Sequence, residues 1–297
     1  MNRAAWGVCL LGLAAPASPA ALQVLVVQGL GGQAHYEAQF SAQTAELRTA
    51  SGAVTVPANV QVLSGAQATR ENIEAALRKL ATAPADDRLA LYLVGHGSYD
   101  GDDYKFNIPG PDVTGRDLVR LLNAVPMKDQ LVVAGGSSSG ALQDLLKNDS
   151  RIVITGTRNG NESNITRFAD EFVVALGEAA ADIDKNGSIS AQEAFDLAQR
   201  RVKDYYDSEV RLATEHAVLR GERAPRFTLA RLPGAAGETA IHDNPQQATE
   251  RARITEALDA LRLRKDQLQP AEYDAQLEAL LLQLATLDSA VTPGTTP

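Results

Sequence analysis

The 297-residue sequence predicts an α/β fold, a mostly parallel sheet held between two layers of helices and followed by a C-terminal α-helical hairpin. Three observations point there. Short apolar, β-branched runs recur between residues 22 and 155; amphipathic helical patterns alternate with them; and the composition changes after Pro233, ahead of a last pair of leucine-rich patterns.

Taken in order, Leu22–Gln28, Val60–Leu63, Arg88–Val94, Leu131–Ala134 and Ile152–Thr155 read as strands. Their near-continuous apolar character is what burial on both faces of a parallel sheet demands. Between them, Ile73, Ala76, Leu77 and Leu80, and then Leu118, Leu121 and Leu122, fall at helical spacing. A sixth strand, Arg226–Leu232, is expected to close one edge of the sheet. The α/β domain then spans 21–233, and residues 234–248, rich in Gly, Ala and polar side chains, read as a linker. Residues 249–290 form two helical patterns about Pro270. Ile254, Leu258 and Leu261 lie along the first, and Leu277, Leu280, Leu281, Leu284 and Leu287 along the second. That apolar face needs a partner, which is the main domain, a second copy of the chain or another protein. The tail 291–297 is expected to be disordered.

Residues 1–20 read as a signal peptide, with Arg3 ahead of an apolar run and small residues before cleavage after Ala20. The expectation is an exported protein, periplasmic or secreted, with no transmembrane segment. Cys9, the only cysteine, lies inside that signal, so the mature chain would hold no disulfide, cysteine-ligated metal or thiolate nucleophile. Its loss moves the formal charge from -9 to -10, because Arg3 is the only charged residue of the segment. An acidic chain without a basic stripe is not expected to bind nucleic acid.

Asp182-Ile-Asp184-Lys-Asn186-Gly187-Ser188-Ile189-Ser190-Ala-Gln-Glu193 meets every specified position of an EF-hand calcium loop. Ca2+ takes oxygen ligands, here Asp182, Asp184, Asn186, the Ser188 carbonyl, Ser190 through water and bidentate Glu193. Gly187 makes the sharp turn, and Ile189 points into apolar packing. Helical patterns flank the loop, with Phe168, Phe172 and Leu176 entering and Ala194, Phe195, Ala198 and Val202 leaving. No second loop exists for it to pair with. A lone site of this kind is expected to bind weakly, with a dissociation constant of roughly 10⁻⁵ to 10⁻³ M.

The third strand runs into His96-Gly97, and the fourth into Gly135-Gly136-Ser137-Ser138-Ser139-Gly140. Such strand ends share one rim of an open α/β sheet, where ligands bind. On these residues the stretch from about Leu22 to Leu232 resembles the caspase and legumain group of cysteine peptidases (clan CD). The shared pattern is an apolar strand ending in His-Gly and another ending in Cys-x-Ser-Gly, with Ser137 standing at the cysteine position and Ser139 and Gly140 matching. The resemblance implies a caspase-like three-layer α/β/α sandwich. It also implies that His96 is the catalytic histidine, that Gly97 helps form an oxyanion hole, and that residue 137 is the nucleophile.

A serine, unlike a thiol, must be deprotonated by a well-placed base, which a third group must orient. Asp100, Asp102 and Asp103 are candidates for that group, and nothing in the sequence selects among them. Gly136-Ser137-Ser138-Ser139-Gly140 also fits a nucleophile elbow, G-x-S-x-G, in which Ser138 attacks and His216 or His242 serves as base. Gly29-Leu-Gly31-Gly-Gln-Ala34 fits a loose dinucleotide fingerprint but lacks a following acid for the ribose, so it reads as a tight turn. Arg211–His216 reads as helix, or as part of the rim near Ser137. The expected function is therefore a peptidase homologue without cysteine peptidase activity, whose cleft takes a peptide or protein ligand. The alternative is a hydrolase that uses Ser137 with His96.

Overall fold

The computed structural model describes residues 20–232, 250, 253–255, 257–258, 261, 264–265 and 268–291. The expected signal segment as far as residue 19, the linker and the tail beyond Val291 lie outside the described residues. The chain is a three-layer α/β/α sandwich. Its elements run β1 (Leu22–Gln28), α1 (Ala34–Gly52), β2 (Val60–Leu63), α2 (Arg70–Leu80), β3 (Arg88–Val94), β4 (Gly97–Tyr99), β5 (Tyr104–Phe106), β6 (Val113–Thr114), α3 (Gly115–Asn123) and β7 (Asp129–Ala134). After these come α4 (Leu142–Leu145), β8 (Arg151–Thr155), α5 (Phe168–Ala175), β9 (Ser188–Ser190), α6 (Ala191–Ser208), β10 (Val218–Arg220), β11 (Thr228–Arg231) and the C-terminal helix α7 (Pro270–Val291).

Six strands form the central sheet in the order β10-β8-β7-β3-β1-β2. All neighbours are parallel except β10, which pairs antiparallel with β8. Alternation along each strand sends side chains to opposite faces. Val24 and Val26 of β1 pack with α1, α5 and α6, while Leu25 and Val27 pack with α2 and α3. Two separate apolar clusters therefore sandwich one sheet; β1, β3, β7 and β8 are buried on both sides, while the edge strand β2 is partly exposed.

The expected sixth strand is placed differently. Residues 228–231 leave the central sheet and pair antiparallel with β9 in a two-stranded sheet of their own. Val218–Arg220 takes the edge instead, held where Gln143 donates to Thr155 Oγ1 and to the Val218 carbonyl. A third small sheet, β4-β5-β6, grows directly out of His96. Helix starts follow the local sequence: Thr114 and Asp117 form a capping box for α3, and Ser190 and Glu193 form one for α6. The segment before α7 runs antiparallel to it, since Arg253 donates to Gln283 at 3.0 Å and Lys265 lies over the Tyr273 ring. Ile254, Leu258 and Leu261 are buried as the helical pattern requires. Among the described residues no helix is long and apolar enough to cross a membrane.

Candidate functional site

The chain adds β2 on one side of β1 and then β3 on the other, so the order reverses between β1 and β3, where open α/β sheets place their ligands. The last registered pair of β3 and β7 is Leu93 with Ala134. His96 and Ser137 follow each by three residues, so the parallel ladder delivers them level on the carboxyl rim. The strand ends approach closely because a side chain at Gly136 would put its Cβ 2.1 Å from the Gly95 carbonyl oxygen.

His96 and Ser137 line one cavity of about 20 Å³, room for a single water, together with Gln39, Gln43, Ile165, Thr166 and Ala169. Ser137 is only 5% exposed, and no hydrogen bond joins it to His96. A larger, open groove of about 400 Å³ lies along α7, lined by Leu277, Leu281, Leu282 and Ala285 with Asp274 and Glu278. Its lining has two carboxylates but no hydroxyl or imidazole, whereas the small cavity brings a histidine and a serine together and is the site of interest.

The His96 ring is fixed from two sides. Tyr36 and Phe40 of α1 meet it edge-on with centroids at 4.9 and 5.0 Å, and its Nε2 lies 3.2 Å from the Gly31 carbonyl oxygen. A carbonyl can only accept, so Nε2 carries the proton and Nδ1 keeps the lone pair in the neutral ring. Gly31 is held in turn by Glu37, whose carboxylate accepts from its N–H at 2.7 Å. The orienting group is thus a backbone carbonyl from the glycine turn after β1.

None of the three aspartates takes that part. Asp100 is bound by Lys105 and by the N–H groups of Asp102 and Asp103, and the Lys105 ammonium with those backbone donors holds its carboxyl well below the usual range. Arg116 engages both oxygens of Asp102 and lowers it likewise. Asp103 accepts from Tyr104 N. Gly97 opens β4 opposite Phe106, directly after His96.

Ser138 stands at φ 57°, ψ 5°, a left-handed conformation that few residues other than glycine adopt, and is 1% exposed. Its N–H donates to the Glu162 carbonyl. Glu162 also binds His216, with Nδ1 at 2.7 Å from Oε1, yet no hydrogen bond joins Ser138 to a histidine. His242 lies outside the described residues. Ser139 is structural, its Oγ accepting from Gly156 N at 3.1 Å.

Sequence reasoning missed Glu215. Residues 211–217 are irregular rather than helical, and the buried Glu215 carboxylate accepts from Arg167 N, Phe168 N and the Tyr206 hydroxyl. It caps α5, whose first turn walls the cavity.

The acidic loop is the second site. Carboxylate oxygens of Asp182, Asp184 and Glu193 lie within 4.8 Å of one another. Asn186 N donates to Asp182 and Asp184, and Gly187 N to Asp182. Lys185 and Gly187 take positive φ, which turns the chain tightly around those oxygens. Ile189 is fully buried. Ser188 and Ser190 lie in β9, paired with β11. Glu193 accepts from Ile183 N on one oxygen and from Ser190 on the other, so it both caps α6 and faces the loop. Among the described residues this is where three acidic side chains could share one cation. Comparison with protein-family models and with curated proteins found no match for the chain.

Proposed function

We propose that the chain is an exported, calcium-binding relative of the caspase and legumain group, whose cleft binds a peptide or protein segment without thiol chemistry. One observation carries the reading: His96 and Ser137 line the same cavity at the switch point of a parallel sheet, with a serine where that group has its nucleophilic cysteine. The pair is not hydrogen-bonded, so nothing activates the hydroxyl at rest. The order of strands and the His-Gly and Ser-x-Ser-Gly rim support the kinship.

A second reading is hydrolysis by Ser137 with His96. It is favoured by the Gly31 carbonyl, which leaves Nδ1 as the basic atom in an oriented ring. Fluorophosphonate labelling separates the two. The binding reading expects no adduct at Ser137, and an adduct that disappears in His96→Ala would establish the hydrolase instead.

Calcium is the cation this reading assigns to the loop, because every side-chain ligand is oxygen and the turn follows the twelve-residue pattern. Asp182, Asp184, Asn186, Ser188, Ser190 and Glu193 would hold it, and its charge would offset the gathered carboxylates. Calcium at a hundredfold excess over its dissociation constant should stabilise the fold by about 2.7 kcal/mol. Glu193→Gln should lose most of that gain in a thermal melt. An undiminished gain would place the ion elsewhere.

A further inference from the structure

The space shared by His96 and Ser137 holds about one water, Ser137 is 5% exposed, and the wall over it has a definite seam. Gln39 and Gln43 lie one turn apart on α1, and each donates its amide to a different oxygen of the Asp170 carboxylate on α5, at 2.7 and 2.6 Å. Both glutamines line the cavity, as do Ile165, Thr166 and Ala169 at the start of α5. The cavity end of the α1–α5 contact is therefore a carboxylate held by two amides. The other side of α5 is different: Phe168 packs at a tilt against Phe172 of the same helix and against Phe195 of α6, centroids 5.8 and 5.5 Å apart. Glu215 ties the α5 N-terminus to the loop that follows α6. So α5 is fastened to α6 by aromatic packing and a buried cap, while its cavity end is held to α1 by the two amides and to the sheet rim by Thr166, whose hydroxyl donates to the Gly135 carbonyl, hydrogen bonds that water can replace.

We infer that Asp170 with Gln39 and Gln43 is a latch. The resting protein is closed over Ser137, and α5 parts from α1 together with α6 and the loop 209–217 when a ligand enters. The inference rests on the proposed reading of the cleft as the binding site, and it says how that site is gated.

The test measures access to residue 137 directly, so it does not depend on finding the ligand. In full-length protein carrying Cys9→Ser, Ser137→Cys supplies a single thiol, and its alkylation by iodoacetamide is followed by mass spectrometry. The latch is then removed with the near-isosteric pair Gln39→Met and Gln43→Met, or separately with Asp170→Asn. A matching thiol from Ala76→Cys, 4% exposed on α2 across the sheet, reports general loosening. With the latch intact, the thiol at 137 should react at least about tenfold more slowly than in urea-unfolded chain. Each latch variant should speed it by about tenfold or more while leaving position 76 within about twofold, as expected from loss of hydrogen bonds to a charged group. Fast alkylation with the latch intact, no acceleration in the latch variants, or equal acceleration at 76 would each overturn the latch. The binding reading fails by a different result, a fluorophosphonate adduct at Ser137 that forms in the latch variants and is lost when His96→Ala is added.

Discussion

Gly136 shows how much of the site depends on one missing side chain. A methyl there would meet the Gly95 carbonyl at 2.1 Å, and both positions are backbone in strand ends that cannot swing away. Gly136→Ala should therefore cost about 1–3 kcal/mol in denaturant unfolding, the usual range for overpacking, and should drive Ser137 away from His96. Wild-type stability in that variant would mean that the rim is looser than drawn. The same scale shows what a sequence can reveal about a site. The acidic turn from Asp182 to Glu193 stands out because its oxygen-bearing residues sit at fixed local spacing, and the shared cavity of His96 and Ser137 because each follows an apolar run. The group that orients His96 was not legible, since a carbonyl oxygen belongs to every residue and only the fold aims the one from Gly31. Asp100 and Asp102 looked suitable by proximity, but Lys105 and Arg116 claim them. Glu215 was hidden for the same reason, because its three donors come from two distant segments.

At the level of elements, β1, β3, β7 and β8 were readable because burial on both faces leaves a nearly continuous apolar run, and β2 because its β-branched residues alternate with an exposed one. The β10 edge was not. Val218–Arg220 has only three residues and is half-exposed, so it carries no pattern, whereas residues 226–232 carry one for another purpose. Phe227, Leu229 and Ala230 are buried in the cluster beneath α1, α5 and α6, and β11 pairs with β9 inside the acidic loop. This pairing gives the acidic loop a backbone partner in β11. Leu229→Ala should thus do two things at once. It should destabilise the fold by about 2–5 kcal/mol, as large-to-small core changes do. It should also weaken calcium binding, measured by calorimetry at a temperature where the variant is still folded. Unchanged affinity would show that β11 packs against the loop without shaping it.

For the molecule as a whole, both apolar clusters lie, among the described residues, within 22–232. Ile254, Leu258 and Leu261 are buried but belong to neither. A chain ending at Leu232 should accordingly melt in one cooperative transition within about 5 °C of the full chain and keep its calcium response. A much lower transition would make the hairpin a structural support of the sandwich. The second leucine-rich pattern, expected beyond Pro270, matches the last helix, Pro270–Val291. Which surface α7 covers was not legible, because Leu281 and Leu282 stay 47% and 61% exposed on a helix that has acidic residues and no basic ones. The β9–β11 pairing also has a mechanical consequence. The chain that leads to the hairpin departs from Leu232, whose N–H bonds to the Gly187 carbonyl in the acidic loop at 2.9 Å. A pull on the hairpin is therefore borne first by that loop and only later by the sheet. An ion held there would act as a rivet at the head of the load path. In an optical trap, the force at which β11 detaches should rise with calcium and lose that dependence in Glu193→Gln.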